Sequence, residues 1–151
     1  MELLRPARME DFEEINAIAR QVCELHASWG NGVVVDYPYP VDWLQELLES
    51  NGLYVACLND RIVGYVRFYF WTAGGPSAAT RKMISIDDIG VDQTLRNQGI
   101  GKRMMADLRE LAQKDGCAAI NLYVDAPNEN AIAFYEKCGF HIRNHGMTLN
   151  L

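Results

Sequence analysis

A change of hydrophobic period between residues 83 and 126 constrains the fold more than any other feature of the chain. The segment "MISIDDIGV" (83–91) reads as a strand. Beyond "RNQGIG", the side chains of Ile100, Met104, Leu108, Leu111 and Ala112 fall on one face of a helix from about Gly99 to Lys114, where "DG" ends it. The segment "CAAINLYVDA" (117–126) is then a strand again. A helix inserted between two strands of one sheet is a crossover, and a crossover makes those strands parallel.

The other links are short. In "LYVACLNDRIVGYVRFYFW" (53–71), two β-rich runs are divided by "ND", which predicts an antiparallel hairpin. An opening strand is read at "LLRPA" (3–7), a first amphipathic helix on Phe12, Ile15, Ile18, Ala19, Val22 and Leu25, and a second on Val41, Leu44, Leu47 and Leu48. Residues 72–82 are expected to be a loop, "NENAIAFYEKC" (128–138) a short helix, and "FHIRNHGMTLNL" (140–151) a closing pair of strands around "NHG". The predicted class is α/β, with a mixed, mostly antiparallel central sheet, flanking helices and one parallel strand pair. With 151 residues and no repeat, linker or shift of composition, a single domain over residues 1–151 is expected.

The formal net charge of −6 disfavours nucleic acid or an anionic membrane as partner and suits a cationic small substrate. No apolar run approaches a membrane span, and "MELLRPARMEDF" turns charged too soon for a secretory signal, so a cytoplasmic location is expected. Cys23, Cys57, Cys117 and Cys138 are scattered, without zinc-ligand spacing, and are expected to be buried thiols in a reducing compartment. No metal site is expected.

Two glycines in "RNQGIGKRMM" (96–105) stand where a helix begins, although glycine weakens a helix by about 1 kcal/mol relative to alanine. A strand that turns through glycines into a helix presents unpaired N–H groups and the positive end of the helix dipole at one point, with Arg96 and Lys102 beside it. Such a point binds phosphate. Two familiar phosphate loops do not fit. The earlier glycine of G-x-x-x-x-G-K-[ST] is missing, and Met104 stands where the third glycine of G-x-G-x-x-G belongs.

What remains, Arg96-x-x-Gly99-x-Gly101 behind a strand, is similar to the acyl-CoA pyrophosphate signature of the GNAT family of N-acetyltransferases. About thirty residues on, "NENAIAFYEKCGF" resembles that family's second signature, matched by Asn128, Ala131, Tyr135, Lys137, Gly139 and Phe140 in order. The opening "LRPARMEDFEEI" also resembles its first strand and helix.

The resemblance implies an acetyl-CoA cleft between the parallel strands. It assigns backbone contacts with the pantetheine arm to Ile89, Gly90 and Val91, in a strand splayed by a bulge, and pyrophosphate contacts to Arg96, Gln98, Gly99, Ile100, Gly101 and Lys102. A glycine inside a strand agrees with a bulge or a close backbone approach. Asn128 is implied as a cofactor contact and also reads as the N-cap of the last helix. Tyr135 resembles the family's general acid for the departing thiolate.

The implied reaction is direct attack of a neutral amine on a thioester. A base is needed because an amine of pKa about 10 is mostly protonated at neutral pH. Strand alternation sends Asp87 and Asp88 to opposite faces, and Asp87 is favoured as the base because the family's acid commonly stands about four residues before the position of Val91. Trp29, Tyr37, Tyr39 and Trp71 are candidate walls of an acceptor site for a cation, and polyamines, aminoglycosides, amino acids and peptide amino termini all remain open. A homodimer through the closing strands is compatible with the family. A noncatalytic acyl-CoA binding module on the same fold is the alternative to an enzyme, and a nucleotide-binding protein a weaker third.

Overall fold

The computed structural model describes residues 3–30 and 34–149. Its sheet has five strands in sequential order: β1 (Leu4–Pro6), β2 (Leu53–Leu58), β3 (Arg61–Gly75), β4 (Ala78–Val91) and β5 (Ala119–Leu122). The first four pair antiparallel, and β4 with β5 is the parallel pair, bridged by α3 (Ile100–Lys114). Helices α1 (Phe12–Ser28) and α2 (Val41–Glu49) lie between β1 and β2, and α4 (Glu129–Lys137) follows β5.

The strand period divides the core between the two faces of the sheet. Val63, Val66, Phe68, Ile84 and Ile86 pack with Met104 and Leu108 of α3. Val55 and Tyr65 pack with Ile15, Ile18 and Ala19 of α1 and Leu44 of α2. The β2–β3 hairpin turns at Asn59 and Asp60, both at positive φ (50° and 60°), the backbone that matches the twist of two antiparallel strands.

Three expectations fail. The loop at 72–82 is instead the continuation of β3 and β4, paired from Trp71↔Met83 out to Gly75↔Ala78, with only Pro76 and Ser77 left to turn. Gly74 there marks a strand irregularity rather than a loop, since at φ +136° a Cβ on it would lie 2.9 Å from Thr80 Cα. Residues 140–149 form no strand, and Ile142, Met147 and Leu149 are exposed. Alternation alone does not make a hairpin, which is marginal in water without a sheet to pair with. The four cysteines are free but half-buried rather than buried.

Candidate active site

The glycine loop sits where β4 hands over to α3. Asp92 caps a short 3-10 turn at Gln93–Leu95, accepting from the N–H (2.9 Å) and hydroxyl (2.8 Å) of Thr94. Asn97 and Gly99 then take positive φ (62° and 80°), which reverses the chain into α3 with Gly99 at the N-cap. A Cβ built on Gly99 meets nothing within 4 Å, so the backbone there faces open space. The first-turn N–H groups of α3, at Ile100, Gly101 and Lys102, have no partner within the helix. Gly101 has a different reason to be glycine, because a Cβ would come within 3.2 Å of the Phe134 ring of α4. Arg96 turns back from this opening, its Nε donating to the Val91 carbonyl at 3.1 Å, and thereby ties the loop to the strand end.

Beside the loop the two parallel strands part. Their pairing ends at Ile86↔Leu122, while β4 continues against β3 as far as Gly64↔Val91. Among the described residues, Ile89, Gly90 and Val91 therefore have no strand neighbour on the β5 side. The bulge lies earlier than these three residues, because Arg67 pairs with Asp88 and Phe68 with Ile86, leaving Asp87 as the extra residue. Gly90 is needed for packing, since a Cβ would stand 2.8 Å from Tyr65 Cε1 and 3.1 Å from Ile18.

The bulge overturns the assignment of the two acids to opposite faces. Asp88 Oδ2 accepts from the Tyr39 hydroxyl (2.5 Å) and the Tyr65 hydroxyl (2.6 Å). Asp87, 46% exposed, instead forms an ion pair with Arg67. Arg67 shares the face of Tyr65, two residues before it on β3, so both carboxylates serve one side of the sheet. Burial, followed by the Asp88 charge, raises the phenols of Tyr39 and Tyr65 well above the ordinary tyrosine value. Tyr135 on α4 is pushed up to about 12, by burial first and then by the same carboxylate. Asp88, and not Asp87, is thus the acid that joins the loop before α2 to the β3–β4 ladder.

Sequence reasoning missed the residue that holds Tyr39 in place. Asn16, on the apolar face of α1 and 2% exposed, accepts the Tyr39 N–H at 2.8 Å and donates to the Tyr39 carbonyl at 3.1 Å. A polar residue within the apolar stripe of Phe12, Ile15, Ile18 and Ala19 was the available signal. Asn128 caps α4 as expected, its Oδ1 accepting the Ala131 N–H at 3.1 Å, which leaves its amide donors for other partners.

The four candidate wall aromatics do not converge. Tyr39 faces Asp88, Tyr37 stacks on Phe12, Trp29 lies against His26, and Trp71 donates across the sheet to Asn121. Their spread along the chain had no geometric meaning. Among the described residues no group of three His, Cys, Asp or Glu is placed to hold a metal, and no helix is long and apolar enough to cross a membrane.

Comparison with known proteins agrees with this fold. The model of the acetyltransferase (GNAT) family matches residues 19–140. Glucosamine 6-phosphate N-acetyltransferase of Trypanosoma brucei brucei is 34% identical over 94 residues, covering 60% of this chain and 58% of that protein. A mutant of the BH1408 protein from Bacillus halodurans has the same fold, with a TM-score of 0.90 at 24% identity over 99% of both chains. The aminoglycoside N-acetyltransferase AAC(6')-Iy, solved in complex with CoA, shares the fold with a TM-score of 0.74 at 13% identity, covering 98% of this chain and 93% of that one. The first curated relatives are longer, and the matches span 30%, 58% and 42% of their lengths.

Proposed function

Because the chain belongs to the acetyltransferase (GNAT) family, we propose that it is an acetyl-CoA-dependent N-acetyltransferase acting on a primary amine of a small molecule or peptide by direct attack in a ternary complex. The observation that carries this reading is the meeting of Asp88, Tyr39 and Tyr65 at the gap in the sheet, with Tyr135 within reach of the Asp88 charge. A single domain over residues 1–151 performs the reaction.

The residues fit acetyl-CoA. Gly99 faces open space, the first turn of α3 offers N–H groups to a pyrophosphate, and Ile89, Gly90 and Val91 have backbone groups free of β5. Arg96 ties the loop to the strand end, Gln98, Gly99, Ile100, Gly101 and Lys102 would meet the pyrophosphate through the loop and the first turn of α3, and Asn128 would meet the cofactor from the N-cap of α4. When bound, acetyl-CoA supplies the activated acyl group. Asp88 then holds the incoming ammonium on Oδ1, which accepts no hydrogen bond from the described residues, and takes its proton directly or through water. Tyr135, kept protonated, donates to the departing thiolate. Asp87, paired with Arg67, steadies the bulge rather than acting as the base.

Exposed Ile142, Met147 and Leu149, and an outer β5 edge that no described strand covers, support a homodimer through the C-terminal segment. Four free, half-buried thiols support a reducing, cytoplasmic setting.

The test is Tyr135→Phe. It should leave acetyl-CoA affinity by calorimetry unchanged and lower kcat by about a hundredfold or more. An unchanged kcat would remove Tyr135 from the mechanism, and binding without turnover in the wild type would favour a noncatalytic acyl-CoA module.

A further inference from the structure

The acceptor side of the cleft holds a permanent cation of its own. Arg67 lies across the Trp43 ring at 4.9 Å and near the Tyr39 ring at 5.7 Å, with its Nη2 paired to Asp87. These two aromatic faces are therefore taken by the protein rather than left for a cationic group of the acceptor. Its side chain is 17% exposed, and its Nε–H is buried with no acceptor among the described residues. The planar fork carries donors beyond the one paired with Asp87, and these suit a hydrogen-bond-accepting oxygen. Arg67 is also the cross-strand partner of Asp88 on the same face, which puts the two charges within one small molecule's reach.

Charge balance narrows the choice. Asp87 and Arg67 cancel, leaving Asp88 as the single uncompensated charge of the three. One ammonium completes it, and a second would lie beside the Arg67–Asp87 pair with no carboxylate left for it. Resting on the acetyl-transfer reading above, we infer that the acceptor is a monoamine carrying hydrogen-bond-accepting oxygen close to the amine, which Arg67 recognises, and that polyamines are rejected. Arg67 is the specificity-determining residue, and Trp43 positions it. The adjacent oxygen is a carboxylate, a phosphate or a sugar hydroxyl, three forms of one chemistry.

The experiment compares kcat/KM for β-alanine, phosphoethanolamine and glucosamine with that for putrescine and spermidine. At least one of the first three should exceed both polyamines by about tenfold or more, and which one does so identifies the oxygen. Arg67→Met should collapse that ratio to within about threefold, and Arg67→Lys, which keeps the charge but loses the planar fork, should restore only part of it. Trp43→Leu, at a half-exposed helix position, loosens Arg67 without touching the amine and should lower the ratio as well, even if the Arg67 variants fail to fold. Preference of the wild type for a polyamine, or an unchanged ratio in a folded Arg67→Met protein, would overturn the inference. If no acceptor of either kind is acetylated, the acetyl-transfer reading falls for small amines. Calorimetric titration of the same amines in the presence of coenzyme A then decides the inference separately: tighter binding of the oxygen-bearing amines that is lost in Arg67→Met supports it, and equal or absent binding overturns it.

Discussion

Tyr135 is held protonated by its surroundings, burial first and the Asp88 charge second, with a pKa of about 12. The sign of the consequence is fixed. A folded value above the unfolded one of about 10 means that stability from this group is fully present below about pH 10 and is lost as pH rises towards the folded value. Denaturant unfolding between about pH 9 and pH 11 should therefore show a steeper loss for the wild type than for Tyr135→Phe. Asp88→Asn removes the charge shared by three phenols, so Tyr39, Tyr65 and Tyr135 should all titrate at lower pH in an ultraviolet difference titration, and KM for the amine should rise. Phenols that titrate unchanged would detach Asp88 from them. The N-cap place of Asn128 was legible in the sequence because a cap has a fixed place before its helix. The choice between Asp87 and Asp88 was not legible, because strand alternation presumes a regular ladder and the bulge at Asp87 breaks it. Asn16 and Arg67 act through partners far along the chain, which spacing does not reveal.

Among the elements, α1 seats on β4 only because Gly90 leaves room for Tyr65, Val22 and Ile18. Gly90→Ala should lower unfolding stability by about 1–3 kcal/mol, as overpacking does, and should move the Tyr65 hydroxyl off Asp88. Chemical denaturation and the amine KM check the two parts. Gly99→Ala fills open space but forces a side chain to φ +80°, so it should cost about 1 kcal/mol and distort the loop, weakening acetyl-CoA affinity while leaving the far side of the sheet intact. Helices and the crossover were readable from their period, and the β2–β3 turn from "ND". The long arm of β3 and β4 was not, since its glycines and threonines look like a loop until the partner strand is known. For the tail at 140–149 the pattern promised strands that the described residues do not form.

For the molecule as a whole, two buried carboxylates contribute stability that acid removes. Burial opposes ionisation of Asp11, but Arg5, at 2.7 Å, and the Arg8 N–H outweigh it, and Asp92 is lowered by the Thr94 N–H and hydroxyl and then by Arg61. Both pKa values fall below that of the unfolded chain, so the stability they contribute is present above about pH 4 and is lost as pH falls through the folded values. Asp11→Asn and Asp92→Asn should each be less stable at neutral pH and less sensitive to acid in urea unfolding, and an equally acid-sensitive double variant would refute the assignment. Every role proposed for the site residues requires transfer of an acetyl group at the gap between β4 and β5. The most direct measurement is free-thiol release from acetyl-CoA by the intact protein across oxygen-bearing monoamines, polyamines and short peptides, with mass analysis of the amine. Release above a no-acceptor control, matched by an acetylated amine and suppressed in Tyr135→Phe, is the predicted result. Acetyl-CoA bound by the protein with no amine acetylated would contradict it.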